Sequence, residues 1–265
     1  MIDWNELNCR SMLERYYAAL LDREKQKYIN QEKKAKTAEE LEELKEKIEK
    51  KQTHSLRVLA SCRDIAAALT ASNPKPELNE TMLYAAALLH DIAKFDCDKH
   101  HHRLAVSAVK TVYGSYSSED SAAFFALDEI ITAHKGKFNP CPEYAAEAAI
   151  LRMADKLDKI FRKAQKVQQA NCSLERAKEK LKMAQEFGDS SKKLLKKANK
   201  VLEKSKKLEK KEDALKDAAA DFKKNLDTIH VYSQSAVSGI CDPAFFNALQ
   251  NALGTLSVNR HSPPV

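Results

Sequence analysis

The sequence predicts an all-α protein, and three observations carry that reading. Only 5 glycines and 7 prolines occur in 265 residues, so few positions favour tight turns. Charged residues make up 31% and hydrophobic residues 43%, a balance that suits amphipathic helices. Apolar side chains recur three and four residues apart in segment after segment, which is the spacing of one helix face. The expected architecture is a helical core carrying a long charged helical hairpin, coiled-coil-like, as an appendage.

The elements follow in order. Asp3-Trp4-Asn5-Glu6 reads as a capping box for a helix whose apolar side holds Leu7, Met12, Leu13, Tyr16, Tyr17, Leu20 and Leu21. Thr37-Ala38-Glu39-Glu40 reads as a second capping box, opening a helix with Leu41, Leu44 and Ile48. These segments fit one long helix or a pair, and no Gly or Pro separates the second from His54. A helix over 54–71 ends before Asn73-Pro74-Lys75-Pro76. Asn79 is a good N-cap for a helix carrying Met82 through Lys94. Further helices are expected over 102–113, stopped by Gly114, over 118–134, stopped by Gly136 and Pro140, and from Pro142 onward through Asp155.

Beyond Asp158 the character changes. Two apolar stripes on charged helices flank Phe187-Gly188-Asp189-Ser190-Ser191, a C-terminal glycine followed by a new N-cap. The four expected segments are an N-terminal helical segment (1–52), a core (53–162), a lysine-rich hairpin (163–230), and a closing helix with a tail (231–265). The net charge of +7 is unevenly placed: residues 156–230 hold 22 Lys/Arg against 12 Asp/Glu. The basic surplus therefore belongs to the hairpin.

Composition also excludes function classes. The six cysteines are scattered without a CxxC pair, which argues against a disulfide scaffold or a cysteine zinc site and fits a reducing cytoplasm. The first residues lack a basic region and an apolar core, so no secretion signal is expected. Charges interrupt every apolar run, leaving no membrane span.

The chemistry concentrates at His90-Asp91, where an apolar stretch delivers two adjacent metal-ligand side chains and Lys94 follows one turn later. Imidazole with carboxylate suits a divalent transition metal that must still accept oxygen ligands. Six of the eight histidines fall between positions 54 and 134, and Asp155 lies downstream in Met153-Ala154-Asp155-Lys156-Leu157-Asp158.

The series His54…His90-Asp91…His102…His134…Asp155 resembles the HD superfamily of metal-dependent phosphohydrolases, over roughly residues 53–160. The resemblance implies a metal centre of His54, His90, Asp91 and Asp155, with His102 and His134 completing a second site that Asp91 bridges. Two ions lower the pKa of a shared water and neutralise phosphoryl charge. The ions expected are Mn, Fe, Co or Ni, two per chain, with Mg a further candidate. In His100-His101-His102, counting back from Tyr113-Gly114 as in ribonuclease Y-type HD sequences favours His102, whereas the following small residue favours His101.

Asp91 and Lys94 are the expected catalytic residues, Lys94 offering a fixed cation to the phosphoryl oxygens. Arg57, Lys135 and His101 are further candidates for holding substrate. Lys94-Phe95 stands where alarmone hydrolases carry Glu-Asp, and no Gly-Tyr-Pro signature of cyclic-di-GMP phosphodiesterases occurs. The expected substrate is a nucleotide or another small phosphate ester. The alternatives are a nuclease or cyclic-nucleotide phosphodiesterase, or a non-catalytic interaction protein using the hairpin. The hairpin is expected to serve self-association or a protein partner ahead of nucleic acid, because its cations are nearly all lysine with scarcely an aromatic residue for base stacking.

Overall fold

The computed structural model describes residues 3–29, 34–70, 77–114, 116–135 and 139–236, and among these it contains no strand. The protein is all-α, as its composition predicts.

The first helix, α1 (Glu6–Ile29), is capped by Asn5, whose side chain accepts from the Asn8 N–H at 2.9 Å. Asp3 instead receives the Asn5 N–H at 3.1 Å, so the cap lies two residues later than the sequence suggests. α2 (Lys34–Thr70) is a single helix of 37 residues. It begins upstream of Thr37, so that residue does not open it. The run of Ala, Glu, Lys and Leu has high helix propensity and no breaker, and the helix therefore continues unbroken through His54 into the core.

α3 (Glu80–Leu89) is the central helix: Met82, Leu83 and every residue from 85 to 89 are buried. Asn79 caps it as expected, accepting from the Met82 N–H at 3.1 Å. The helix ends at Leu89 rather than at Lys94. His90 closes it through an N–H to the Ala86 carbonyl, and Ile92–Phe95 forms a short 3₁₀ turn. α4 (His101–Tyr113) stops at Gly114, whose φ of 86° is the left-handed conformation that glycine adopts without penalty. A capping box of Ser117 and Asp120 leads into α5 (Ser121–Ala133). The buried Arg152 guanidinium donates to the Ala133 carbonyl at 2.6 Å, satisfying a C-terminal carbonyl of α5. α3 packs against α1, α2 and α5. The Trp4 ring meets Phe124 edge-on at 5.3 Å and Tyr17 meets Phe95 at 5.7 Å, which pins α1 to the core.

The chain divides into two compact units, one holding Met1–Asp155 and the other Lys156–Asp227. The helix α6 (Ala145–Glu186) runs through the division, and α7 (Ser191–Ala236) follows it. The second unit is an antiparallel helical hairpin. Lys156 reaches Asp221 at 2.7 Å, Lys163 the Ala214 carbonyl at 2.6 Å, Lys211 the Lys166 carbonyl at 3.4 Å, and Lys204 the Ser173 carbonyl at 3.0 Å. Members of every pair are equidistant in sequence from the Gly188–Asp189 turn, so one register holds over the whole length. Gly188 has φ 68°, and the Asp189 N–H to Ala184 carbonyl bond of 2.9 Å completes a Schellman ending.

Among the described residues no helix is long and apolar enough to cross a membrane. The expected closing helix around Phe245, Phe246, Leu249 and Leu253 lies outside the described residues.

Candidate metal centre

Five helices deliver the chemistry to one place. His54 comes from α2, His90 and Asp91 from the end of α3, His101 from the first turn of α4, His134 from the end of α5, and Asp155 from α6. His90, Asp91, His101 and His134 sit at helix ends, which can converge on a point where helix sides would collide, while His54 and Asp155 project to it from within α2 and α6.

The convergence is close. His54 Nε2 lies 3.3 Å from His90 Nε2, 3.3 Å from Asp155 Oδ1 and 3.6 Å from Asp91 Oδ2. His101 Nε2 lies 3.0 Å from Asp91 Oδ1. The His134 ring sits 5.3 Å from that of His90 and 5.9 Å from that of His101. Two groups of donors with metal-compatible spacing result: His54, His90 and Asp91, and Asp91, His101 and His134. Asp91 belongs to both.

Backbone carbonyls fix the ring states. His90 Nδ1 faces the Ala87 carbonyl at 2.9 Å, His101 Nδ1 the Asp98 carbonyl at 2.6 Å, and His134 Nδ1 the Ile131 carbonyl. A carbonyl can only accept, so each Nδ1 carries the proton and each neutral ring turns its Nε2 lone pair to the cluster. This is the backing that metal-binding histidines use. His134 Nε2 is buried with no hydrogen-bond partner among the described residues, an orphaned acceptor that a cation would satisfy. The donor set therefore fits a divalent metal.

Residues 52–160 match the family model described as the HD domain. The chain carries an HD domain. The family consists generally of phosphohydrolases, and HD domains bind divalent metals. No curated protein and no solved structure matches the chain.

Within the HD domain, the structure places His101 rather than His102 at Asp91. Successive residues on a helix point about 100° apart, so only one of the two can face the cluster. His102 is buried beside it, its ring 6.4 Å from that of His134, and desolvation lowers its pKa to about 4. Burial likewise lowers His134 to about 3 and His90 below its usual range. Asp91 stays ionised, held well below the usual carboxylate range against its own desolvation by His90, His101, Lys51 and Lys94. Asp155 is lowered too, against desolvation, by its hydrogen bond with His54 and the other histidines.

Lysines ring the mouth of the centre. Lys94 Nζ lies 3.4 Å from Asp91 and 3.6 Å from Asp98. Lys135 is half-buried, and desolvation, then repulsion from Lys94, lowers its pKa. Arg57 is half-buried on α2, three residues after His54. The sequence reading missed Lys51, whose Nζ makes the shortest contact to Asp91, at 2.9 Å. It stands three residues before His54, so helical spacing puts both on one face. That signal was available, but it is masked by neighbouring lysines at positions 45, 47 and 50 that pair with glutamates at the surface.

Proposed function

We propose that this chain is a metal-dependent phosphohydrolase that cleaves a nucleotide or another small phosphate ester. The observation that carries the reading is Asp91, buried and shared between two donor groups in which His90, His101 and His134 turn Nε2 lone pairs to the cluster. His54, His90, Asp91 and Asp155 would hold one ion, and Asp91, His101 and His134 a second. Mn, Fe, Co or Ni suit these donors, with Mg a weaker fit to so many imidazoles. When bound, the ions supply Lewis acidity and a water acidic enough to attack near neutral pH.

The chain's own side chains do the remaining work. Lys51 and Lys94 now lie against Asp91, 26% and 23% exposed, so each ammonium is reachable from solvent while tethered to the centre. With Asp91 committed to metal, they are free to grip the non-bridging phosphoryl oxygens and to stabilise the charge that grows there. Lys135 adds a third cation, and Arg57 extends the same side along α2. His102 supports the wall of the site without supplying a donor to the centre.

A nuclease is the second reading. It draws on the hairpin, where positions 192–211 of α7 hold ten lysines and two glutamates. Lys204 and Lys211 there rest on carbonyls of α6 instead of carboxylates. The hairpin is otherwise proposed as an arm for self-association or a protein partner. A hydrolysis screen over nucleotides, cyclic nucleotides, and single-stranded RNA and DNA, run with Mn²⁺ and after chelation, separates these readings. Turnover of mononucleotides with RNA and DNA left intact supports the first. Cleavage of polynucleotide alone replaces it with the second.

A further inference from the structure

The ends of α3 and α6 remote from the metal centre border an open acidic cavity of about 590 Å³. Glu77, Glu80, Glu143 and Glu147 line it together with Leu78 and Tyr144, and among the described residues no lysine or arginine does. At 1.5 Å per residue, the length of α3 puts it about 15 Å from His90. It is thus a separate place from the centre described above.

Glu147 distinguishes this cavity from an ordinary acidic surface. It is only 2% exposed, and although its Oε1 accepts the Asn79 N–H at 2.6 Å, its Oε2 is buried with no hydrogen-bond partner among the described residues. Burial raises its carboxyl pKa against the lowering effect of the Asn79 and Glu147 amides. A buried acceptor left open costs free energy unless something donates to it. The helix N-termini here carry about half a positive charge each, which cannot outweigh four carboxylates.

The shape of the cavity selects among cations. Its carboxylates form no group of donors within 4.8 Å of one another, unlike the two groups around Asp91, so they do not converge on a single ion. The volume falls in the range of small-molecule sites, about 300–1,000 Å³. Spaced negative charges with an aromatic ring and an aliphatic wall between them match a flexible chain bearing several ammonium groups. We propose that this cavity is a binding site for an aliphatic polyamine. One ammonium donates to Glu147 Oε2, its neighbours engage Glu77, Glu80 and Glu143, and the methylenes lie along Leu78 and Tyr144. The Glu80 carboxylate, which already accepts from the Tyr84 hydroxyl at 3.1 Å, is held in place for the contact.

Calorimetric titration of the full metal-loaded chain with spermidine tests this. One spermidine per chain is expected, with affinity falling as salt rises. The exposed pair substitution Glu77→Gln/Glu143→Gln should weaken binding at least 10-fold with helicity unchanged by circular dichroism. Glu147→Gln should remove it, and the exposed pair keeps the test valid if that variant loses the α3 cap. Absence of binding to the wild type, or undiminished binding to the exposed pair variant, overturns the proposal. So does loss of spermidine binding on addition of stoichiometric Ca²⁺, which would make the cavity a metal site.

Discussion

His101 Nε2 lies 3.0 Å from Asp91 Oδ1, and this pair joins the two donor groups through a single carboxylate. His101→Ala should therefore remove one of two metal equivalents, while His102→Ala should retain both. Elemental analysis of each variant after Mn²⁺ loading measures this. The reverse pattern would restore the register favoured by counting back from Tyr113-Gly114.

Lys94→Ala and Lys51→Ala should each leave metal content intact and lower kcat by about 100–1000-fold, the range for losing one charge-stabilising donor. Steady-state kinetics beside metal analysis checks the separation. Unchanged kcat for both would reduce these lysines to counter-ions of Asp91.

Acid should destabilise the metal-free protein. His134 and His102 have pKa values of about 3 and about 4 in the folded chain, lowered chiefly by desolvation from 6.5. Below pH 6.5 the unfolded chain takes up protons that the folded chain refuses, so stability is full above that pH and declines as pH falls toward 3. Thermal melts in chelator across this window should show a falling Tm. His134→Gln should flatten the decline, and an identical slope would assign it to other groups.

Gly188→Ala should weaken the hairpin by about 1–2 kcal/mol, the cost of a left-handed conformation for a residue with a Cβ. Open space surrounds the position, so the penalty comes from the backbone alone. Chemical denaturation of the full chain followed by helical circular dichroism measures it, and an unchanged transition would mean that the turn relaxes freely.

Local signals were legible where one residue decides the outcome. Asn79 starts α3, Gly114 ends α4 and Gly188 turns the hairpin, each for a reason visible in the residue itself. Less legible was anything set by rotation or competition. Three consecutive histidines are equivalent as letters, and only the packing of α4 against α1 and α5 selects His101 to face Asp91. α3 stops at Leu89 although the apolar pattern continues to Ile92 and Ala93, because His90 and Asp91 turn into the centre there. Lys51 was hidden for the opposite reason: its surroundings in sequence are those of a solvated face, and its partner is 40 residues away.

In the proposed reaction one shared carboxylate, that of Asp91, organises the metal centre. The most direct measurement titrates Mn²⁺ into chelator-treated wild type and Asp91→Ala while following bound metal and hydrolysis of an aryl phosphate ester together. Two ions per wild-type chain are expected, with hydrolysis rising as they bind, and neither tight binding nor turnover in Asp91→Ala. Full hydrolysis by the chelated wild type, or equal metal and turnover in Asp91→Ala, would exclude that role for Asp91.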